Sequence, residues 1–354
     1  MTPKERVLRA IDHEEPDRVP IHVTFTPQVA QKLRERFDIG EDVKDAALGT
    51  FFGDDMIAVV PQYDITSEYA QRWSDLNPGE TFTDRFGMTW KKTEHYIEPI
   101  RGPLEEATLE ELERYRFPDP LDESMYREVR EIIASYSDDY ALLGFAPQTM
   151  FELAWHLRGF DRFLMDMVSN RDFAELLLDK ALEYKLAIAK ELVEMGVDII
   201  HFGDDFGSQH RMLISPKLWR ELIKPRLARA CEEVRKLNPK IKIDYHSDGY
   251  IEPIIPDLIE IGVDILNPIQ PKSMDPVRLK RKFGDKLAFR GTIDIQETMI
   301  SKDPQDVINE VKERITTLAQ GGGLIIGPTH NVQPDTPLEN IMAFYEAVER
   351  FGKY

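Results

Sequence analysis

Short apolar runs rich in β-branched residues recur along the chain, and each one ends in polar residues. The first three are "RVPIHVTF" (18–25), "DMIAVVPQYD" (55–64) and "ALLGFAPQT" (141–149). Next come "VDIIHFGDD" (197–205), "IKIDYHSDG" (241–249) and "VDILNPIQ" (263–270). The last two are "LAFRGTID" (287–294) and "GGLIIGPTH" (322–330), which makes eight. Near-continuous apolar runs suit strands buried on both faces, the situation of a parallel sheet. The segments between them carry apolar residues at helical spacing. "SPKLWRELIKPRLARACEEVRKL" opens on Ser215-Pro216 and "DPVRLKRKFG" on Asp275-Pro276, in each case a capping side chain followed by a first-turn proline. "EMGVDIIHF" and "EIGVDILNP" are near copies, each a helix end, a glycine and then a strand. Eight strands alternating with helices predict a (β/α)8 (TIM) barrel.

One connection, between the second and third strands at about 65–140, is too long for a single crossover helix. In it "DRFGMTWKKTEHYIEPIRGPLEE" reads as a β-hairpin and "TLEELERYRFPDP" as a short helix ending before proline. It is expected to be an insertion that shares the barrel core, so that residues 1–354 form one domain; Phe86, Trp90 and Tyr96 are expected to pack.

The formal net charge of −19 makes nucleic acid and anionic membranes poor partners. No apolar run approaches the ~18 residues that span a bilayer. The charged start, "MTPKERVLRAIDHEEPDRVP", does not resemble a signal peptide, so a cytoplasmic location is expected. The single cysteine, Cys231, lies among apolar residues of a helical pattern and is expected in the core, which excludes an intramolecular disulfide.

In such a barrel the chemistry gathers at the C-terminal ends of the strands. The fourth strand end offers His201, Asp204 and Asp205, the fifth His246 and Asp248, and the sixth Asn267 and Gln270. The seventh offers Arg290 and Asp294, and the eighth His330; His22 lies in the first strand and Asp64 follows the second. Each also has a structural reading. One of Asp204 and Asp205 can cap the next helix, and Asp248-Gly249 can form a turn. Gly207 and Gly249 can serve backbone geometry. His201 can be a hydrogen-bonded core residue. His13 and His95 read as surface residues and His156 as packing. Arg290 in an apolar strand requires either a carboxylate partner or an anionic ligand.

The order of these segments resembles the uroporphyrinogen decarboxylase superfamily, which includes the haem-pathway decarboxylase and zinc-dependent, corrinoid-linked methyltransferases. The resemblance runs from "MTPKERVLRAIDHEEPDRVPI" through "GFAPQTMFELA", "FGDDFGSQHRMLISPKLWRELIKP", "YHSDGYIEPIIPDLIEIGVDILNPIQ" and "GTIDIQETM" to "GPTHNVQPDTPLENIMAFYEAV". It implies a (β/α)8 barrel. The decarboxylase's Arg-Gln-Ala-Gly-Arg-Tyr stretch is replaced here by "TFTPQVAQKLRERF", and Leu153 stands near the place of its tyrosine; Asp64 falls after the second strand, where the decarboxylase carries an aspartate, and only His330 matches one of its active-site positions well. The methyltransferase branch implies a zinc site of His-x-Cys plus a later cysteine. Those positions read His246-Ser247-Asp248 and His330 here.

The resemblance therefore implies a site of His246, Asp248 and His330 for zinc, with Asp204 or Asp205 as a fourth ligand; without thiolates, iron or manganese is also acceptable. Asp204, Asp205, His246 and His330 are the expected catalytic residues. His22, Asp64, His201, Asn267, Gln270 and Arg290 are the expected substrate contacts. The expected function is methyl transfer between a small methyl ether, thiol or amine and a corrinoid on a separate protein. The alternatives are metal-free decarboxylation of a carboxylated, porphyrinogen-like substrate and a non-catalytic corrinoid- or tetrapyrrole-binding barrel. A homodimer is implied by the decarboxylase branch alone.

Overall fold

The computed structural model of the chain describes residues 1–40, 42–62, 76–93 and 97–354. Seven parallel strands form one curled sheet. They are β1 (Met56–Val59), β5 (Ala141–Pro147), β6 (Ile199–Gly203), β7 (Lys242–His246), β8 (Ile265–Asn267), β9 (Ala288–Arg290) and β10 (Leu324–Ile325), paired in that order. All seven fall inside runs expected to be strands.

The eighth run, 18–25, closes the barrel without a regular ladder. It makes parallel bridges at Ile21–Ile326 and Phe25–Val332. On its other side, aspartate side chains replace main-chain partners: Asp55 accepts the Ile21 N–H at 2.8 Å and Asp54 the Val23 N–H at 2.8 Å. Pro20 has no N–H to offer, which helps explain why no continuous ladder forms. Asp55 is fully buried and ion-paired to both Arg6 (2.6 Å) and Arg18 (2.7 Å). The two near-copied segments use the same device. Asp198 accepts the Leu142 N–H at 3.0 Å and Asp264 the Ile243 N–H at 2.7 Å, each tying its strand to the one before. The preceding glycines, Gly196 and Gly262, have φ of +96° and +92°, the left-handed turn that ends each helix.

Helix Pro3–Ile11 plugs the N-terminal end of the barrel. Its Val7 and Ile11 pack with Met56, Leu143, Ile199, Ile265, Ala288 and Ile325. The opposite, C-terminal end is thereby left for chemistry. The expected helix starts are present: Ser215 accepts the Leu218 N–H at 3.1 Å, and Asp275 accepts from Val277 and Arg278.

The insertion is richer than the expected hairpin. It contains β2 (Thr81–Thr83), β3 (Thr89–Lys92) and β4 (Ile97–Arg101) in an antiparallel sheet, followed by helix Leu109–Arg114. Asp84 organises its turn, accepting from the Phe86 and Met88 N–H groups and the Trp90 indole at 2.9, 2.9 and 2.8 Å. Phe86, Met88 and Trp90 are buried in the same cluster as the barrel's helical layer. His156 is buried beside Trp90 and Trp155, as packing. Cys231 is fully buried and its thiol is pushed up to about 12 by burial. His13, expected at the surface, is half-buried, with its Nδ1 enclosed. His95 and Tyr96 lie outside the described residues.

Candidate metal centre

Strand β7 sends alternate side chains to opposite faces. Ile243 and Tyr245 enter the helix-facing core, so Asp244 and His246 point into the barrel. At the strand end, His246 Nδ1 lies 2.7 Å from Asn267 Oδ1, and Asn267 Nδ2 donates to the Arg290 carbonyl at 2.9 Å. Only the amide nitrogen can donate to a carbonyl, so the oxygen faces the imidazole and Nδ1 carries the hydrogen. His246 Nε2 is then a lone pair directed at two carboxylates, 3.6 Å from Asp205 Oδ1 and 3.8 Å from Asp248 Oδ1.

The ligand atoms of Asp205, His246 and Asp248 all lie within 4.8 Å of one another. Two ligands 2.0–2.1 Å from a tetrahedral zinc stand about 3.3 Å apart, so only a small contraction is needed to enclose an ion. Asp205 Oδ1 is held by the Asp248 N–H at 2.7 Å, and Gln270 Oε1 holds the Gly249 N–H at 2.6 Å. Gly249, with φ of +78°, lies so close to the next loop that a Cβ would meet the Gly207 carbonyl carbon at 2.5 Å. Asp248 Oδ1 is buried and has no hydrogen-bond partner among the described residues. An orphaned carboxylate oxygen opposite a fixed imidazole lone pair is a donor set that fits a divalent cation.

The surrounding electrostatics agree. Burial works against charge on His246, yet Asp248 and Asp205 outweigh it and raise its pKa above the usual value. Burial raises Asp248 as well. Glu152, which accepts the Asp205 N–H at 3.2 Å, is raised well above the carboxylate range by burial and by the charges of Asp205 and Asp204.

Asp204 is buried, and it neither caps the following helix nor joins the three ligand groups. Its carboxylate accepts the N–H groups of Met150 (3.1 Å) and Glu152 (2.9 Å), and so anchors the start of the helix that follows β5, Phe151–Arg158. Burial holds it at about 7 against those hydrogen bonds. His330 is exposed and stands outside the three-residue set, although its charge is felt by Asp248.

Deeper in the barrel, Arg290 forks onto Asp244 at 2.9 and 2.8 Å, and His201 Nδ1 meets Asp244 Oδ2 at 2.5 Å. His22 Nδ1 lies 3.3 Å from Arg290 Nη1. Burial holds His22 down to about 3 and His201 to about 4, so both are neutral. Arg290 thus has its carboxylate inside the protein. Asp294 caps a turn through the Gln296 and Glu297 N–H groups at 3.1 Å each. Asp64 lies outside the described residues.

Residues 84–351 match the family model described as Uroporphyrinogen decarboxylase (URO-D). The chain belongs to the uroporphyrinogen decarboxylase family. Within it, the chain is 25% identical over 357 aligned positions to the methylcobamide:CoM methyltransferase MtaA of Methanosarcina barkeri, covering 99% of this chain and 98% of that one. It is 24% identical to the uroporphyrinogen decarboxylase of Coxiella burnetii, over 72% of this chain and 70% of the other. A solved methyltransferase from Methanosarcina mazei shares the fold, with a TM-score of 0.75 at 21% identity and 99% coverage of both chains. These relatives are enzymes of two chemistries built on one barrel.

Among the described residues of this family member, no helix is long and apolar enough to cross a membrane. Residues 244–249, Asp-Tyr-His-Ser-Asp-Gly, spell Asp-x-His-x-x-Gly, the form of a cobalamin-binding signature. Here Asp244 is engaged by Arg290 and His201, and the His246 Nδ1 partner is Asn267. Two members of the polar set went unread in the sequence. Asp244 was legible in principle, because it sits two residues before His246 in a strand and so shares its face. Glu152 carried no such signal among 64 acidic residues.

Proposed function

We propose that the protein is a metal-dependent methyltransferase. It moves a methyl group between a small methyl ether, thiol or amine and a corrinoid held by a separate protein. The observation that carries this reading is the His246 lone pair facing Asp205 and Asp248, with Asp248 Oδ1 unpartnered. His246, Asp205 and Asp248 hold the cation; zinc accepts these ligands, and iron or manganese does too. When bound, such a cation supplies Lewis acidity that stabilises negative charge on a substrate oxygen or sulfur at neutral pH.

The chain's own groups do the rest. Asn267 fixes the His246 tautomer, and the Asp248 N–H fixes Asp205. Glu152, whose pKa is raised well above its usual value by burial and by the charges of Asp205 and Asp204, is the nearby group suited to exchanging a proton with the substrate heteroatom. The length of the similarity to the methylcobamide:CoM methyltransferase supports this reading. Decarboxylation finds less support, because Arg290 is already neutralised by Asp244 rather than offered to a substrate carboxylate.

The test is to incubate the purified protein, loaded with zinc, with reduced or methylated cobalamin and a panel of methyl donors and acceptors, following the cobalt absorbance. Methyl transfer that is lost on chelation and in Asp248→Asn supports the reading. Release of CO₂ from a porphyrinogen by chelated protein, without any methyl transfer, replaces it.

A further inference from the structure

The floor of the barrel beneath the metal centre holds a polar feature that the proposed methyl transfer leaves unused. A carboxylate cannot donate, so the 2.5 Å contact between Asp244 Oδ2 and His201 Nδ1 places the hydrogen on Nδ1; Arg290 Nη2, 3.4 Å from the same nitrogen, donates instead to Asp244 Oδ2 at 2.8 Å. His201 Nε2 is therefore a bare lone pair. The residue is 1% exposed, and this atom has no hydrogen-bond partner among the described residues. Arg290 sets the opposite tautomer on the other side: its Nη1 donates to His22 Nδ1, leaving the His22 hydrogen on Nε2. The two rings are thus held by one Asp244–Arg290 pair, with His201 committed to accept.

The surroundings of that acceptor are specific. The His201 ring lies flat on Phe145, with centroids 4.2 Å apart and planes at 15°, and its centroid is 5.6 Å from that of His246. Phe145 packs against the barrel's inner cluster yet stays partly exposed, so apolar surface remains open beside the polar atom. A buried acceptor without a donor is destabilising, and such groups are retained where a ligand satisfies them.

We propose that His201 is a substrate-binding residue whose Nε2 accepts a hydrogen bond from an O–H group, and that the ligand is a neutral, phenol-like molecule with an apolar flank. The inference rests on the barrel mouth being the ligand site, and it is independent of whether a metal is bound there.

The probes are phenol and anisole, which share a ring but differ in the donor. Full-length protein labelled with ¹⁵N-histidine, both as purified and after chelation, is titrated with each. The expected result is an unprotonated His201 Nε2 whose resonance moves with phenol and stays put with anisole. His201→Asn keeps an N–H for Asp244 but has no atom in the place of Nε2. It should bind phenol roughly 3- to 10-fold more weakly and anisole as before, the anisole affinity serving as the control for folding. The proposal is overturned if Nε2 carries the proton, if the two probes shift it alike, or if His201→Asn binds phenol as tightly as the wild type. The phenol response of chelated protein separates this outcome from any failure of the metal site.

Discussion

Asn267 makes two hydrogen bonds, and together they decide what His246 can do. Its amide nitrogen is committed to the Arg290 carbonyl and its oxygen to His246 Nδ1, so Nε2 is left free. Partners of this kind typically change metal affinity by ~10- to 100-fold when removed. Asn267→Ala should therefore weaken zinc binding by about that factor while leaving the fold intact, as read by competition with a chelating dye and by circular dichroism. His330→Ala, outside the three-residue set, should change affinity by less than ~10-fold on the same scale.

His156 gives a pH prediction at the same scale. Burial, and then the charge of Lys185, hold its pKa down to about 3, well below the ordinary imidazole value of about 6.5. The unfolded chain takes up a proton below that ordinary value and the folded chain does not until about 3, so acidification favours unfolding across this window. His156→Phe removes that uptake. Relative to the variant, the wild type should lose about 1.4 kcal/mol for each pH unit below about 6.5, as read from urea melts. Equal pH slopes for the two proteins would contradict a neutral buried imidazole.

At the scale of elements, the barrel is tied together by aspartates at strand starts. Asp55, Asp198 and Asp264 each accept an N–H from the preceding strand segment. Asp55 also compensates two arginines while fully buried, so Asp55→Ala would strand their charges and should cost about 3–5 kcal/mol. Asp264→Ala, at a half-exposed position paired to Arg235, should cost about 1 kcal/mol. Thermal denaturation of both variants checks the ranking.

The strand and helix pattern was legible in the chain because buried parallel strands are short apolar runs and helix starts carry their own caps. The first strand and the insertion were less so. Side chains of Asp54 and Asp55 substitute for a ladder that no local pattern announces, and the third insertion strand follows from packing around Asp84. In the site, strand-end residues His246 and Asp248 were readable from position alone. The partition between Asp204 and Asp205 was not. It depends on which carboxylate reaches the helix at Phe151–Arg158 and which reaches His246, a matter of one residue in loop direction.

Taken whole, the molecule closes one end of its barrel with an apolar plug and gathers at the other end an imidazole and two carboxylates within reach of one cation. A cation that binds the folded site and not the unfolded chain couples the site to stability. Zinc should raise the melting temperature, with the added stability following RT ln(1 + [Zn]/Kd), and Asp248→Asn should abolish most of that gain. The most direct measurement is a crystal of zinc-loaded protein with diffraction recorded on both sides of the zinc absorption edge. The account predicts one anomalous peak about 2.0–2.2 Å from His246 Nε2 and from carboxylate oxygens of Asp205 and Asp248. A loaded crystal with no peak there, or with the ion held by other residues, would contradict it.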